Sequence, residues 1–209
     1  MIPLIVASRN QKKVEELQAI LKGLPVNAMS LRDLPGAPEV REDGKTFEEN
    51  AVKKAVEIAR WSQKLTLADD SGLCVDALGG EPGVYSARFA GTSQDDRKNC
   101  DKLLRVMESV PDPERGAAFV CVIAIAGPDG QLIGTAQGEF RGCIARDLQG
   151  GGGFGYDPLF VDLQSGKRFA ELLPEMKNKI SHRAKALEKA RQILYAYVDK
   201  IGKSPVDKR

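Results

Sequence analysis

Short apolar runs alternate along this chain with stretches in which apolar residues recur every three or four positions, the pattern of strands interleaved with amphipathic helices. Leu4–Ala7 is an apolar run suited to a buried strand, and from Gln11 the spacing turns helical, with Val14, Leu17, Ile20 and Leu21 on one face and Asn10 placed as N-cap. Leu24–Val40 is proline-rich and aperiodic, a strand or two in irregular connection that ends in the acidic segment Val40–Gly44. Thr46 and Glu49 form a capping box for a helix reaching about Trp61, with Phe47, Ala51, Ala55, Ile58 and Ala59 inside. Leu65–Ala68 reads as a short strand that delivers Asp69, Asp70 and Ser71 at its carboxyl end, where open α/β sheets place their ligands. A helix over Gln94–Met107 follows. Ala117–Ala126, the turn Gly127–Gly130 and Gln131–Phe140 then form a β-hairpin, so the sheet is mixed and not purely parallel. Leu159–Val161 is a last short strand, and Ser181 caps a closing helix whose apolar face includes Ala184, Leu187, Leu194 and Tyr197. The expected class is α/β, a mixed central sheet with flanking helices.

Composition narrows the possibilities. A chain of 209 residues, 42% of them hydrophobic, buries a sufficient core without disulfide or metal. A formal charge of +2 supplies no field for sequence-independent binding to a nucleic acid polymer, so anion recognition must be local. Cys74, Cys100, Cys121 and Cys143 show no CxxC spacing, and with one histidine in the chain neither a zinc finger nor a disulfide framework is expected. Ile2–Ala7 is too short for a signal segment and no run is long enough to span a bilayer, which points to a cytoplasmic protein without membrane partners. No repeat or linker divides the chain, so residues 1–200 are expected to form one domain with a polar tail over 201–209.

Three segments carry chemistry. Ser8, Asn10 and Lys13 lie on a strand-to-helix turn where free amides and the helix dipole favour an anion, although an ordinary Asn-capped helix reads the same way. Glu42, Asp69 and Asp70, beside Ser71, offer the hard oxygens Mg²⁺ prefers; the plainer reading is a strand-ending turn, and two adjacent aspartates argue for a neutralising cation. Gly150–Gly153 is followed by Phe154, Gly155, Tyr156 and Asp157, with Lys177, His182 and Arg183 further on. Flat faces, directional hydrogen bonds and a backbone free to approach closely suit a nucleobase. A dinucleotide fingerprint is excluded because Tyr156-Asp-Pro158 stands where its helix would start, and neither a Walker A loop nor a GxSxG elbow is present. The Lys/Arg-rich stretch from Lys177 to Lys189 reads as a solvated helix face, Lys177 and Arg183 excepted.

Taken in order, Ser8-x-Asn10-x-x-Lys13, Thr46-Phe-x-Glu-Asn50-Ala, Ala68-Asp-Asp-Ser-Gly-Leu73, Leu78-Gly-Gly-x-Pro-Gly-x-Tyr-Ser-Ala-Arg88, Gly152-Gly-Phe-Gly-Tyr-Asp-Pro158 and Ile180-Ser-His-Arg183 resemble the inosine triphosphate pyrophosphatase family, in particular its bacterial dITP/XTP pyrophosphatases. The resemblance implies two lobes around a deep nucleotide cleft, a homodimer, and Mg²⁺-dependent hydrolysis of ITP, dITP or XTP to a monophosphate and pyrophosphate. It implies that Ser8 to Lys13 hold the triphosphate, that Glu42 and Asp70 hold Mg²⁺, and that Asp70 also activates water. Lys54, Ser71, Phe154, Gly155, Tyr156, Asp157, Lys177, His182 and Arg183 would complete the phosphate and base contacts. Ser8 stands where many members have Thr, and Gly151 where a Thr is common. A nucleotide sensor using the same cleft, or a sugar-phosphate or pyrimidine phosphatase, are the competing expectations.

Overall fold

The computed structural model describes residues 1–21, 23–91 and 95–203, leaving aside the side chains of residues 20, 202 and 203. The side chain of Ile20, Gln94 at the start of the helix expected over Gln94–Met107, and the terminal segment 204–209 therefore fall outside what is described, and the last helix runs to Lys203. Among the described residues six strands form one sheet in the order β2-β1-β3-β4-β5-β6: β1 (Ile2–Val6), β2 (Val26–Ser30), β3 (Leu65–Val75), β4 (Gly116–Ala126), β5 (Leu132–Ile144) and β6 (Phe160–Val161). β1 pairs in parallel with β2 and β3, each connection passing through a helix, α1 (Gln11–Leu21) or α2 (Phe47–Ser62). The remaining pairs are antiparallel, as the hairpin implied, and the sheet is mixed. α3 (Asp96–Val106), α4 (Pro174–Ile180) and α5 (His182–Lys203) complete the chain.

The expected caps are in place. The Lys13 amide donates to Asn10 Oδ1 at 3.2 Å, Thr46 and Glu49 exchange bonds at 3.1 and 3.2 Å, and the Ala184 amide donates to Ser181 Oγ at 3.2 Å. One expectation fails. β3 does not end at Ala68; it runs through Asp69, Asp70, Ser71 and Gly72 to Val75, paired throughout with β4. What ends there is the partnership with β1, whose last link is the Ala7 amide to the Leu67 carbonyl at 2.8 Å. The aspartates thus lie in mid-strand, beside the carboxyl end of β1, and the turn reading is excluded.

Strand periodicity then sorts the core. Leu65 and Leu67 face α1 and α5 with Leu17, Ile123, Leu187 and Leu194, whereas Ala68 faces α2 with Ala51, Ala55, Ile58 and Val122. Beyond Gly72, Leu73 and Val75 join a third cluster with Leu103, Phe160 and Phe169. The polar stretch Asp69–Gly72 is the seam between these clusters, and β3 to β5 cross it. α5 lies so close to β5 that a Cβ at Gly138 would overlap the His182 carbonyl and the Ala186 amide. Gly138→Ala is expected to cost about 1–3 kcal/mol in urea unfolding, because backbone must give way to it. Gly151→Ala, at a site with nothing within 4 Å and no left-handed φ, is expected to stay within about 0.5 kcal/mol of wild type.

Candidate active site

Because side chains alternate along a strand, Asp69 and Asp70 emerge on opposite faces of β3. They are not a paired carboxylate site, and the argument that their mutual repulsion demands a cation does not hold. Each serves a different half of the seam.

On the α2 side, Asp70 Oδ2 accepts from Asn50 Nδ2 at 3.0 Å and Oδ1 from the Ser71 amide at 3.0 Å. Burial lifts its pKa to about 6 against the pull of Lys54 and Lys13, with Glu42 adding to the rise. Asn50 also accepts from the Gly44 amide at 2.8 Å, so one buried amide orients both Asp70 and the acidic loop that carries Glu42. Lys54 pairs with Glu42, and although burial opposes its charge, Asp69, Glu42 and Asp70 hold its pKa above the ordinary lysine value.

On the α1 and α5 side, a chain of buried charges runs from strand to loop. Asp69 Oδ2 lies 3.3 Å from Lys13 and 3.3 Å from Arg183. Burial alone would raise the Asp69 pKa, but Lys13, Arg183 and Lys54 overcome it and hold the carboxyl well below the usual range. Arg183 donates to Ser71 Oγ at 2.9 Å and pairs with Glu16 at 2.5 Å. Glu16 also approaches Lys177 at 3.3 Å, and Lys177 reaches Asp157 at 2.6 Å. Leaving any of these charges unpaired in a dry interior would cost several kcal/mol, which is why the network is continuous.

Between these groups lies a cleft of about 250 Å³, bounded by Phe119, His182, Phe154, Ser71, Lys177 and Arg183. The His182 ring stacks on Phe119 at 4.9 Å and 16°. Burial, with Arg183, Lys177 and Lys13 close by, drives the His182 pKa well below 6.5, so the ring is neutral, with one donor and one acceptor nitrogen. Its Nδ1 and the Arg183 Nε are buried without a hydrogen-bond partner. Both residues line the cleft, and each keeps one buried polar atom with unmet hydrogen-bonding capacity.

The sign of the His182 shift has a consequence for stability. The unfolded chain takes up a proton near pH 6.5 and the folded chain resists it, so this contribution is complete above about 6.5 and is lost as pH falls. The slope of unfolding free energy against pH between about 6.5 and 5 is expected to be smaller in His182→Gln than in wild type, by up to about 1.4 kcal/mol per unit. Equal slopes in urea titrations would contradict this.

Other expected residues take roles the motifs did not show. Ser8 accepts from the Asn10 amide at 3.2 Å within the turn. Tyr156 lines the cleft from within the third core cluster, and its hydroxyl donates to the Ser86 carbonyl at 2.8 Å. Asp157 Oδ2 accepts from Lys177 and, at 2.9 Å, from the Phe154 amide, so it fixes the glycine loop. The Gly155 amide donates to Asp96 Oδ2 at 2.7 Å and the Asp157 amide to the Phe154 carbonyl at 3.3 Å. Three of the loop amides expected to face a base are thereby engaged within the protein. Glu16, Asn50, Asp96 and Phe119 were not singled out for roles. Asn50 alone carried a signal, a polar residue amid the apolar face of α2.

Among the described residues no group of three His, Cys, Asp or Glu side chains is arranged around a metal position. The donor chemistry nevertheless suits Mg²⁺, which takes one or two carboxylates and completes its shell with water and phosphate. The charge balance supports this: Lys13, Lys54, Lys177 and Arg183 face five carboxylates, those of Glu16, Glu42, Asp69, Asp70 and Asp157. These side chains by themselves carry no surplus positive charge with which to hold a polyphosphate.

The family model described as the Ham1 family matches residues 4–193. The dITP/XTP pyrophosphatase of Desulforamulus reducens is 54% identical over 91% of this chain and 94% of its own length, and that of Geobacter sulfurreducens 54% over 90% and 94%. A HAM1 protein from Coxiella burnetii superposes with a TM-score of 0.85 at 38% identity, over 94% of this chain and all of its own. The Staphylococcus aureus Ham1 protein does so with 0.83 at 39%, over 93% and 99%.

Proposed function

The chain belongs to the Ham1 family, and we propose that it hydrolyses non-standard purine nucleoside triphosphates, ITP, dITP and XTP, to the monophosphate and pyrophosphate. The names of its relatives support the substrate class. The observation that carries the reading is the seam itself, where a cleft lined by His182, Arg183 and Phe154 includes the Asn10–Lys13 helix start, while Asp70, Glu42 and Lys54 stand on the other face of β3.

In this reading His182, Arg183 and Phe154 receive the base, while Lys13 and the N-terminal amides of α1 take the phosphate chain. Asp70, held by Asn50 and lifted by burial, accepts the proton of a water attacking the α phosphorus. Lys13 and the same amides stabilise the departing pyrophosphate. Glu42 and Asp70 would hold Mg²⁺, which when bound offsets phosphate charge and lowers the pKa of a coordinated water. The consequence for the cell would be removal of deaminated purine nucleotides before polymerases use them.

Incubation with ITP and Mg²⁺ should release pyrophosphate and IMP. IDP with orthophosphate would place attack at the wrong phosphorus and favour a phosphatase, and tight binding without turnover would favour a sensor. The homodimer rests on the resemblance, and the cytoplasmic location on the short apolar run Ile2–Ala7 and the lack of a spanning segment in the sequence. No helix among the described residues is long and apolar enough to cross a membrane, and sedimentation equilibrium giving twice the 22.7 kDa chain mass checks the dimer.

A further inference from the structure

Phe154 is the one aromatic of the glycine loop that bounds the cleft without being part of a core cluster, and both of its neighbours are held from outside the loop. Lys12 Nζ, on the first turn of α1, donates to the Gly153 carbonyl at 2.6 Å across 141 residues. From the opposite side Asp96 Oδ2, on the first turn of α3, accepts from the Gly155 amide at 2.7 Å. Asp96 is free to do this because its neighbour Asp95 caps α3, accepting from the Lys98 amide at 3.1 Å. Gly153 and Gly155 both have left-handed φ values, +72° and +62°, so these backbone groups are presented in directions an ordinary residue would not adopt. α1 packs in the first core cluster and α3 in the third, so the two bonds tie the loop to both sides of the seam.

We propose that Lys12 and Asp96 are positioning residues, paired latches that set the Phe154 ring over the base cleft and hold the glycine loop closed. The inference deepens the pyrophosphatase reading and rests on it for its consequence in turnover, but the latch itself is a property of the free protein. Asp96 acts through Gly155 and Lys12 through Gly153; neither needs to touch the nucleotide. Since a latch stabilises base binding and not the reacting phosphorus, its loss should appear in KM more than in kcat.

Two measurements on the full-length protein test this. In hydrogen–deuterium exchange without nucleotide, Asp96→Ala and, separately, Lys12→Met should exchange amides of residues 150–157 about three- to tenfold faster, the scale of one exposed hydrogen bond. Asp96→Asn, which retains an acceptor oxygen, should remain near wild type. With ITP and Mg²⁺, Asp96→Ala should raise KM about tenfold while kcat changes less than about threefold. Unchanged loop exchange in Asp96→Ala, or Asp96→Asn as loose as Asp96→Ala, would overturn the latch whatever the activity. Faster exchange with unchanged KM would overturn its role in presenting Phe154. Failure of the wild type to cleave ITP would instead count against the pyrophosphatase reading and leave the exchange result to decide the latch.

Discussion

Asp70→Asn is expected to lower kcat for ITP hydrolysis by roughly a hundredfold or more, with a smaller effect on nucleotide binding. The substitution preserves size and leaves an oxygen to accept the Ser71 amide, which now donates to Oδ1 at 3.0 Å. It removes the negative charge and the proton-accepting capacity of a carboxylate whose pKa burial has brought to about 6, close to the range in which a general base works well at neutral pH. It also removes one of the two carboxylates proposed to hold Mg²⁺. The proposed base contacts, His182, Arg183 and Phe154, lie away from the Asp70 face of β3, which is why binding should survive. Pyrophosphate release under saturating ITP measures the effect, and turnover near wild type would take Asp70 out of the mechanism. Asp69→Asn offers the contrast, since its carboxylate pairs with Lys13 and Arg183, and its loss should unsettle folding before chemistry.

That contrast was invisible in the letters Asp69-Asp70-Ser71. A strand read as ending at Ala68 makes the aspartates neighbours in a turn; a strand continuing to Val75 sends them to opposite faces. Local pattern could not decide, because Asp, Ser and Gly are turn residues and the stretch is kept extended by its long pairing with β4, a contact distant in sequence. Where local chemistry suffices the reading was sound: the caps at Asn10, Thr46 and Ser181 and the hairpin turn before Gln131 are all present. The glycine loop lies between these cases. Its place beside the cleft agrees with the expectation of a ligand loop, but that Tyr156 is anchored in a core cluster and Asp157 bound to Lys177 could not be read, since burial assigns a side chain its contacts only once neighbouring elements are in place. Glu16 shows the limit. It is an ordinary acidic letter on α1, and its function as the bridge between Arg183 and Lys177 exists only because α4 and α5 return to that helix.

For base selectivity, kcat/KM for ITP and XTP is expected to exceed that for ATP and GTP by at least about a hundredfold. The donors available are fewer than the motifs suggest, because the amides of Phe154, Gly155 and Asp157 are engaged within the protein. What remains along the cleft is Lys177, the Arg183 guanidinium and the neutral His182 ring, with the Tyr156 amide beside them. A 6-oxygen, as in hypoxanthine and xanthine, accepts from such a donor. The 6-amino group of adenine opposes it and leaves donors unpaired in a dry site. Guanine also carries the 6-oxygen, so its exclusion must come from the 2-amino group meeting the cationic Arg183 side, where xanthine offers an acceptor. Arg183→Ala would confuse the test by stripping Asp69 and Glu16 of a buried partner. Arg183→Lys keeps a positive charge beside those carboxylates but gathers its donors on one nitrogen and cannot span Glu16, Ser71 and a base as the planar guanidinium does, and it is expected to lose most of the margin while the protein remains folded. A panel of the four triphosphates, read as pyrophosphate released, decides the matter. Comparable hydrolysis of all four by the wild type, or a full margin kept by Arg183→Lys, would refute this account of the pocket even if pyrophosphate remained the product.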